Sequence, residues 1–246
     1  MRAGAPDSAW NASGPMSWST AEAMIVARDG VAVAIGASEI ARLAARYSEV
    51  IVDLGTGDGR HVLRTARARP CALVVGVDPV AQAMAPCARR AASKPARGGV
   101  DNALFVVASL EALPAALRGL AREVTINYPW GSLLRAVAWP RLEAMRTVVE
   151  LLAPGGSLVA LLNASAGESG AYADRLDLPP LEDPRHVRER LAPGWGEAGL
   201  ADVRWRYLAA GEPPPYRTTW GQRLVRGSGR ETLVACGRRS APSTSS

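Results

Sequence analysis

From residue 50 onward the chain alternates short apolar runs with stretches in which apolar residues recur every three or four positions. Runs of four to eight apolar residues suit buried strands, and the longer period suits amphipathic helices. The pattern predicts strands at 50–54, 73–78, 104–109, 123–128, 157–163, 202–208 and 231–237. It predicts helices at 60–68, 80–92, 132–152 (interrupted near Pro140) and 185–199. Upstream, apolar residues between Met24 and Ile35 flank Asp29-Gly30, a type I′ turn signal that predicts an N-terminal β-hairpin. A helix is expected over Ser38–Tyr47, with Ser38 as N-cap and Ile40, Leu43 and Ala44 on its buried side. The first strands are almost wholly apolar, as in a parallel sheet covered on both faces. The last two are more polar and are expected to pair antiparallel at one edge. The predicted fold is α/β: a doubly wound, Rossmann-like, seven-stranded and mostly parallel sheet. Such sheets bind ligands at the carboxyl ends of their strands.

The turn after the first parallel strand carries the first chemistry. Residues 50–59 read Val-Ile-Val-Asp-Leu-Gly-Thr-Gly-Asp-Gly, and Asp78 ends the next strand. Glycine lets the backbone approach a ligand closely, and the following helix N-terminus offers free N–H donors. An acid at Asp78 can accept hydrogen bonds from both hydroxyls of a ribose. Gly55, Gly57 and Gly59 are spaced G-x-G-x-G, tighter than the dinucleotide-binding G-x-G-x-x-G. With Asp53 just ahead, this is the turn typical of class I S-adenosylmethionine (SAM) methyltransferases.

Other strand ends add candidates. Ala108 and Ser109 are small enough for an adenine to lie against their backbone. Glu111 is either a polar ligand contact or an acid opening the next helix. The fourth strand ends Asn127-Tyr128-Pro129-Trp130-Gly131-Ser132, a loose version of the Asn/Asp-Pro-Pro-aromatic motif of base-modifying methyltransferases. Trp130 there is either a stacking platform for a flat substrate or a core residue closing the sheet. Trp220 lies between the last two strands among Arg217, Arg223, Arg226 and Arg230. That mixture suits phosphate binding with base stacking, and equally an amphipathic helix with a buried tryptophan. His61 and His186 are expected to be structural or surface residues, not catalysts.

Composition changes this picture modestly. The net charge is +6, and of 29 cationic residues one, Lys94, is lysine. A basic, arginine-rich domain fits nucleic acid and also fits a solvated surface. Cys71, Cys87 and Cys236 show no metal-ligand spacing, so a reduced cytosolic protein without a structural metal is expected. Neither a membrane-spanning run nor a secretory signal is apparent. Residues 1–22 are read as a disordered N-terminal tail, 23–239 as the catalytic domain and 240–246 as a C-terminal tail.

Taken together the motifs resemble the aminoglycoside-resistance methyltransferases that modify N1 of adenine-1408 in 16S rRNA, the kanamycin–apramycin resistance family. The matching segments are Val-Asp-Leu-Gly-Thr-Gly-Asp-Gly-Arg at 52–60, Val-Asp-Pro at 77–79 and Lys-Pro-Ala-Arg-Gly-Gly at 94–99. Tyr-Pro-Trp-Gly-Ser-Leu-Leu-Arg at 128–135 and Thr-Thr-Trp-Gly-Gln-Arg-Leu at 218–224 complete them. The resemblance implies that Asp53, Gly55, Asp78, Pro79 and Ser132 line a SAM site, with Thr218 closing over it. It implies that Trp130 and Trp220 sandwich the flipped adenine. Arg89, Arg90, Lys94 and Arg97 would dock on rRNA phosphates, helped by Arg175, Arg223 and Arg230. Ser93 and Ser228 stand where some members are basic. The implied partner is 16S rRNA within the 30S subunit, the implied product S-adenosylhomocysteine, and the implied form a cytoplasmic monomer. Two other readings compete: a small-molecule methyltransferase of the same fold, and a non-catalytic RNA-binding factor with a vestigial SAM pocket.

Overall fold

The structure, a computed structural model, describes residues 23–26, 30–165, 178–209, 212–216 and 231–240. Among them β1 (Ala23–Val26) and β2 (Ala32–Ile35) lead into α1 (Ala37–Ala44), β3 (Glu49–Leu54) and α2 (Arg60–Ala68). Next come β4 (Ala72–Asp78), α3 (Ala81–Ala91), β5 (Ala103–Val107) and β6 (Ala121–Asn127). Helices α4 (Gly131–Ala138) and α5 (Leu142–Leu151) follow, parted at Pro140 as the sequence predicts, and lead to β7 (Leu152–Asn163). The last helix, α6, runs from Pro184–His186 through a wider π turn (Val187–Leu191) to Ala192–Glu197; β8 (Leu200–Tyr207) and β9 (Thr232–Arg239) end the fold.

The described strands form one sheet in the order β2-β1-β5-β4-β3-β6-β7-β9-β8. Strands β5, β4, β3, β6 and β7 are parallel; β9 runs antiparallel between β7 and β8. The seven expected strands correspond to β3–β9. The hairpin strands extend the sheet on the far side, β1 pairing antiparallel with both β2 and β5. The turn residue Asp29 lies outside the described residues; Gly30 has φ +88°.

Strand side chains alternate between two cores, as the pleat requires. Val50, Val52, Leu54, Leu73, Val75, Val77, Leu104 and Val106 face one core. Ile51, Ala72, Val74 and Phe105 face the other, under α2 and α3. Burial on both faces is why these strands read as continuous apolar runs. Buried Trp195 and His186 pin α6 to α4: the Trp195 indole N–H donates to the Val137 carbonyl (3.1 Å), and His186 packs edge-on against Trp139.

Three expectations need correction. The N-cap of α1 is Gly36, with no side-chain cap bond, so Ser38 falls inside the first turn. Strand β5 stops at Val107 and β6 at Asn127, each ending sooner than expected; Tyr128 turns out of the strand with φ +51°. Ser240, assigned to the tail, still donates its N–H to the Gly199 carbonyl (3.1 Å).

Candidate functional site

The carboxyl ends of β3, β4 and β6 converge on a cleft of about 430 Å³, within the ordinary range for a small-molecule site. The glycine turn forms one wall. Gly55, Gly57 and Gly59 all have positive φ, between +58° and +75°. The N–H groups of Gly55 and Thr56 donate to the Val77 carbonyl (2.8 and 3.0 Å), which ties the turn to the end of β4. Gly57 opens on space, so a ligand can approach its backbone. Gly59 instead packs inward: a Cβ there would lie 2.6 Å from the Phe105 ring. Gly59→Ala is therefore expected to destabilise the fold by roughly 2–4 kcal/mol, the sum of left-handed backbone strain and overpacking. A thermal melt indistinguishable from wild type would refute that packing.

Two carboxylates hold the floor together. Asp53 is buried and accepts hydrogen bonds from Thr125 Oγ1 (2.7 Å) and Asn127 Nδ2 (2.8 Å). Asp78 accepts from the N–H groups of Gly57 and Val80, both at 2.9 Å, one on each oxygen. Burial raises the Asp78 pKa above the ordinary carboxylate value, and those two N–H bonds oppose the rise in part. Each carboxylate oxygen retains accepting capacity, so Asp78 can still receive ligand hydroxyls. Thr56 Oγ1 and Asn127 Oδ1 are buried without a partner among the described residues, an uncommon state for buried polar atoms.

The structure brings Asp53, Gly55, Gly57, Asp78 and Pro79 to this cleft, and with them Ser109, Asn127, Trp130 and Ser132. It does not bring Gly59, Ala108 or Glu111 to its lining. Glu111 sits exposed in a short 3₁₀ turn (Leu110–Ala112), because β5 has already ended. Thr218 and Trp220 lie outside the described residues, as do Arg175, Arg223 and Arg230. Trp130 is the N-cap of α4, at the cleft rim, and 45% exposed. It is not a core residue.

Other lining residues were not singled out from the sequence: Thr56, Asp58, Arg60, His61, Tyr128 and Leu133. Thr56 and Asp58 stood in plain view inside the glycine turn. His61 is buried, as a structural residue should be, yet its ring reaches the cleft and meets Tyr216 edge-on, with centroids 5.5 Å apart. The Tyr216 hydroxyl donates to Glu123 Oε1 (2.8 Å), and Glu123 pairs with Arg69 (2.8 Å). The described chain thus comes up to the cleft wall at Tyr216, two residues before Thr218 in sequence. Arg89, Arg90, Lys94 and Arg97 all lie exposed on α3 and the 3₁₀ turn after it (Pro95–Arg97).

Comparison with known proteins agrees with this geometry. Residues 30–238 match the family described as NpmA: 16S rRNA (adenine(1408)-N(1))-methyltransferase. A 16S rRNA (adenine(1408)-N(1))-methyltransferase of Streptoalloteichus tenebrarius is 35% identical over 198 residues, 80% of this chain and 90% of that protein. Among solved structures, the antibiotic-resistance methyltransferase Kmr superposes with a TM-score of 0.75 at 38% identity, covering 89% of this chain and all of Kmr. A variant of the Catenulisporales acidiphilia 16S rRNA (adenine(1408)-N(1))-methyltransferase, determined with cosubstrate SAM, gives a TM-score of 0.79 at 32% identity. That match covers 91% of this chain and 99% of the other.

Proposed function

The chain belongs to the 16S rRNA (adenine(1408)-N(1))-methyltransferase family, and on that premise we propose that it methylates N1 of adenine-1408 in the 30S subunit, using SAM and conferring resistance to aminoglycosides such as kanamycin and apramycin. The observation that carries this reading is Trp130. A large aromatic stands exposed on the rim of the cleft that Asp53, the glycine turn and Asp78 enclose.

The cleft residues fit SAM. Asp78 would take the ribose hydroxyls, and the open backbone at Gly57 would admit the cofactor's close approach. The unpartnered Thr56 Oγ1 and Asn127 Oδ1 offer further polar contacts. SAM, when bound, supplies an electrophilic methyl group on a sulfonium. Because ribose binding needs an ionised acceptor and burial raises the Asp78 pKa, affinity should fall as pH drops, starting above the usual carboxylate range of about 4. It should recover on returning to neutral pH. Titrating SAM binding across that range checks the sign; constant affinity would exclude Asp78 as the ribose acceptor.

Adenine N1 carries an in-plane lone pair and needs no strong general base. The protein's task is then to position the base. A base in structured RNA must be flipped out, at a cost of roughly a few kcal/mol. Stacking on an aromatic offsets about 1–3 kcal/mol per base, so Trp130 with Trp220 opposite would nearly balance it. N1-methylation also leaves a cationic base, which tryptophan faces attract. Arg89, Arg90, Lys94 and Arg97 would hold rRNA phosphates, with Arg175, Arg223 and Arg230 assisting. No described helix is long and apolar enough to cross a membrane; a monomer acting on ribosomes in the cytoplasm suits the role. Expression in a susceptible bacterium should raise resistance to kanamycin and apramycin together. Unchanged susceptibility despite abundant soluble protein would refute the proposal.

A further inference from the structure

Helix α2 joins two places already described. Arg60, at its first residue, lines the cleft. Arg67, in its last turn, donates from Nη2 to the Gly98 carbonyl (2.6 Å), in the Lys-Pro-Ala-Arg-Gly-Gly loop. The two positions are seven residues apart, two helical turns, so they share a face about 10 Å long. Both are exposed.

Around Gly98 a second guanidinium converges. A Cβ built on Gly98 would lie 3.3 Å from Arg67 Nη2 and 3.4 Å from Arg90 Nη2. Gly98 has φ +82°, so its conformation and its crowding both favour glycine. Two like charges are therefore held beside one another at the surface. Among the described residues neither Arg67 nor Arg90 forms an ion pair with a carboxylate, whereas Arg69, two residues after Arg67, is paired with Glu49 and Glu123. Holding two cations together in this way is unfavourable until an anion joins them. The forked, permanently charged guanidinium suits a phosphate in particular. Among the described residues Arg60 pairs with Asp58 at 3.5 Å, and both side chains are exposed.

We infer that the exposed face of α2, Arg67 at one end and Arg60 at the other, is a phosphate track. It carries the RNA backbone from the Lys94–Arg97 loop to the mouth of the cleft. This inference rests on the RNA-methylating function proposed above and adds α2 to the docking surface. The one described hydrogen bond of Arg67 is to a surface carbonyl, that of Gly98.

The test is equilibrium binding of wild type, Arg67→Gln and Arg67→Lys to purified 30S subunits over a series of salt concentrations, with SAM affinity measured alongside. Arg67→Gln should bind about fivefold more weakly near physiological salt and reduce the salt slope by about one. Arg67→Lys, which keeps the charge, should retain the wild-type slope, and SAM affinity should be the same in all three. Unchanged affinity and slope for Arg67→Gln would overturn the track. So would weaker binding at an unchanged slope, which would make Arg67 a brace for the Gly98 loop only. If wild type itself did not bind 30S subunits, the proposed function would fall first, and the track with it.

Discussion

Trp130→Ala is expected to lower the rate of methyl transfer to 30S subunits by roughly 10- to 150-fold, equivalent to the loss of about 1.4–3 kcal/mol of base stacking. SAM affinity should change little. The separation follows from geometry. Trp130 stands on the rim as the N-cap of α4, while Asp53, the glycine turn and Asp78 lie on the floor and opposite wall. Its φ of −125° is ordinary extended backbone, so alanine fits the position without strain. Trp130→Phe should recover much of the activity, because a smaller ring still stacks. Trp220→Ala should resemble Trp130→Ala if the two rings enclose one base. Initial rates combined with calorimetric SAM titration separate the two effects. Wild-type rates in Trp130→Ala would eliminate its stacking role.

The second large effect belongs to Asp78. Asp78→Ala should weaken SAM binding by roughly 10- to 100-fold or more, since hydrogen bonds to a charged group contribute about 1.5–3 kcal/mol each. The same change releases the N–H groups of Gly57 and Val80, so the glycine turn loses its clamp as well. Asp78→Asn keeps an amide oxygen but loses the charge and half the acceptor capacity, and should fall between. A calorimetric isotherm for Asp78→Ala matching wild type would show that the ribose is bound elsewhere.

Much of this site could be read directly from the chain. The glycine turn and Asp78 are local features, set by residues that are neighbours in sequence and by a strand-turn-helix geometry with few alternatives. The parallel strands were legible because burial on both faces leaves little room for polar residues between Val50 and Leu54 or between Ala72 and Val77. What could not be read depended on contacts between distant segments. Whether Trp130 faces the core or the cleft is decided by Tyr128. With φ +51° it turns its own ring inward against Leu161 and its hydroxyl to Thr232 (3.1 Å), and Trp130 is left on the rim. Glu111 missed the cleft lining because β5 ends at Val107, two residues sooner than its apolar run suggests. His61 looked like an ordinary helix residue, and its place in the cleft lining emerges only from the folded chain. Arg67 was one arginine among many until α2 and the Gly98 loop were brought together.

The central claim, that the cleft and Trp130 serve methylation of one ribosomal adenine, is tested most directly by primer extension on 16S rRNA. Purified 30S subunits would be incubated with the protein and SAM before extension. N1-methylation blocks base pairing, so the account predicts a strong new stop at adenine-1408, dependent on SAM and nearly absent with Trp130→Ala. A SAM-binding protein that left adenine-1408 unmodified, or that placed its stop at another nucleotide, would contradict it.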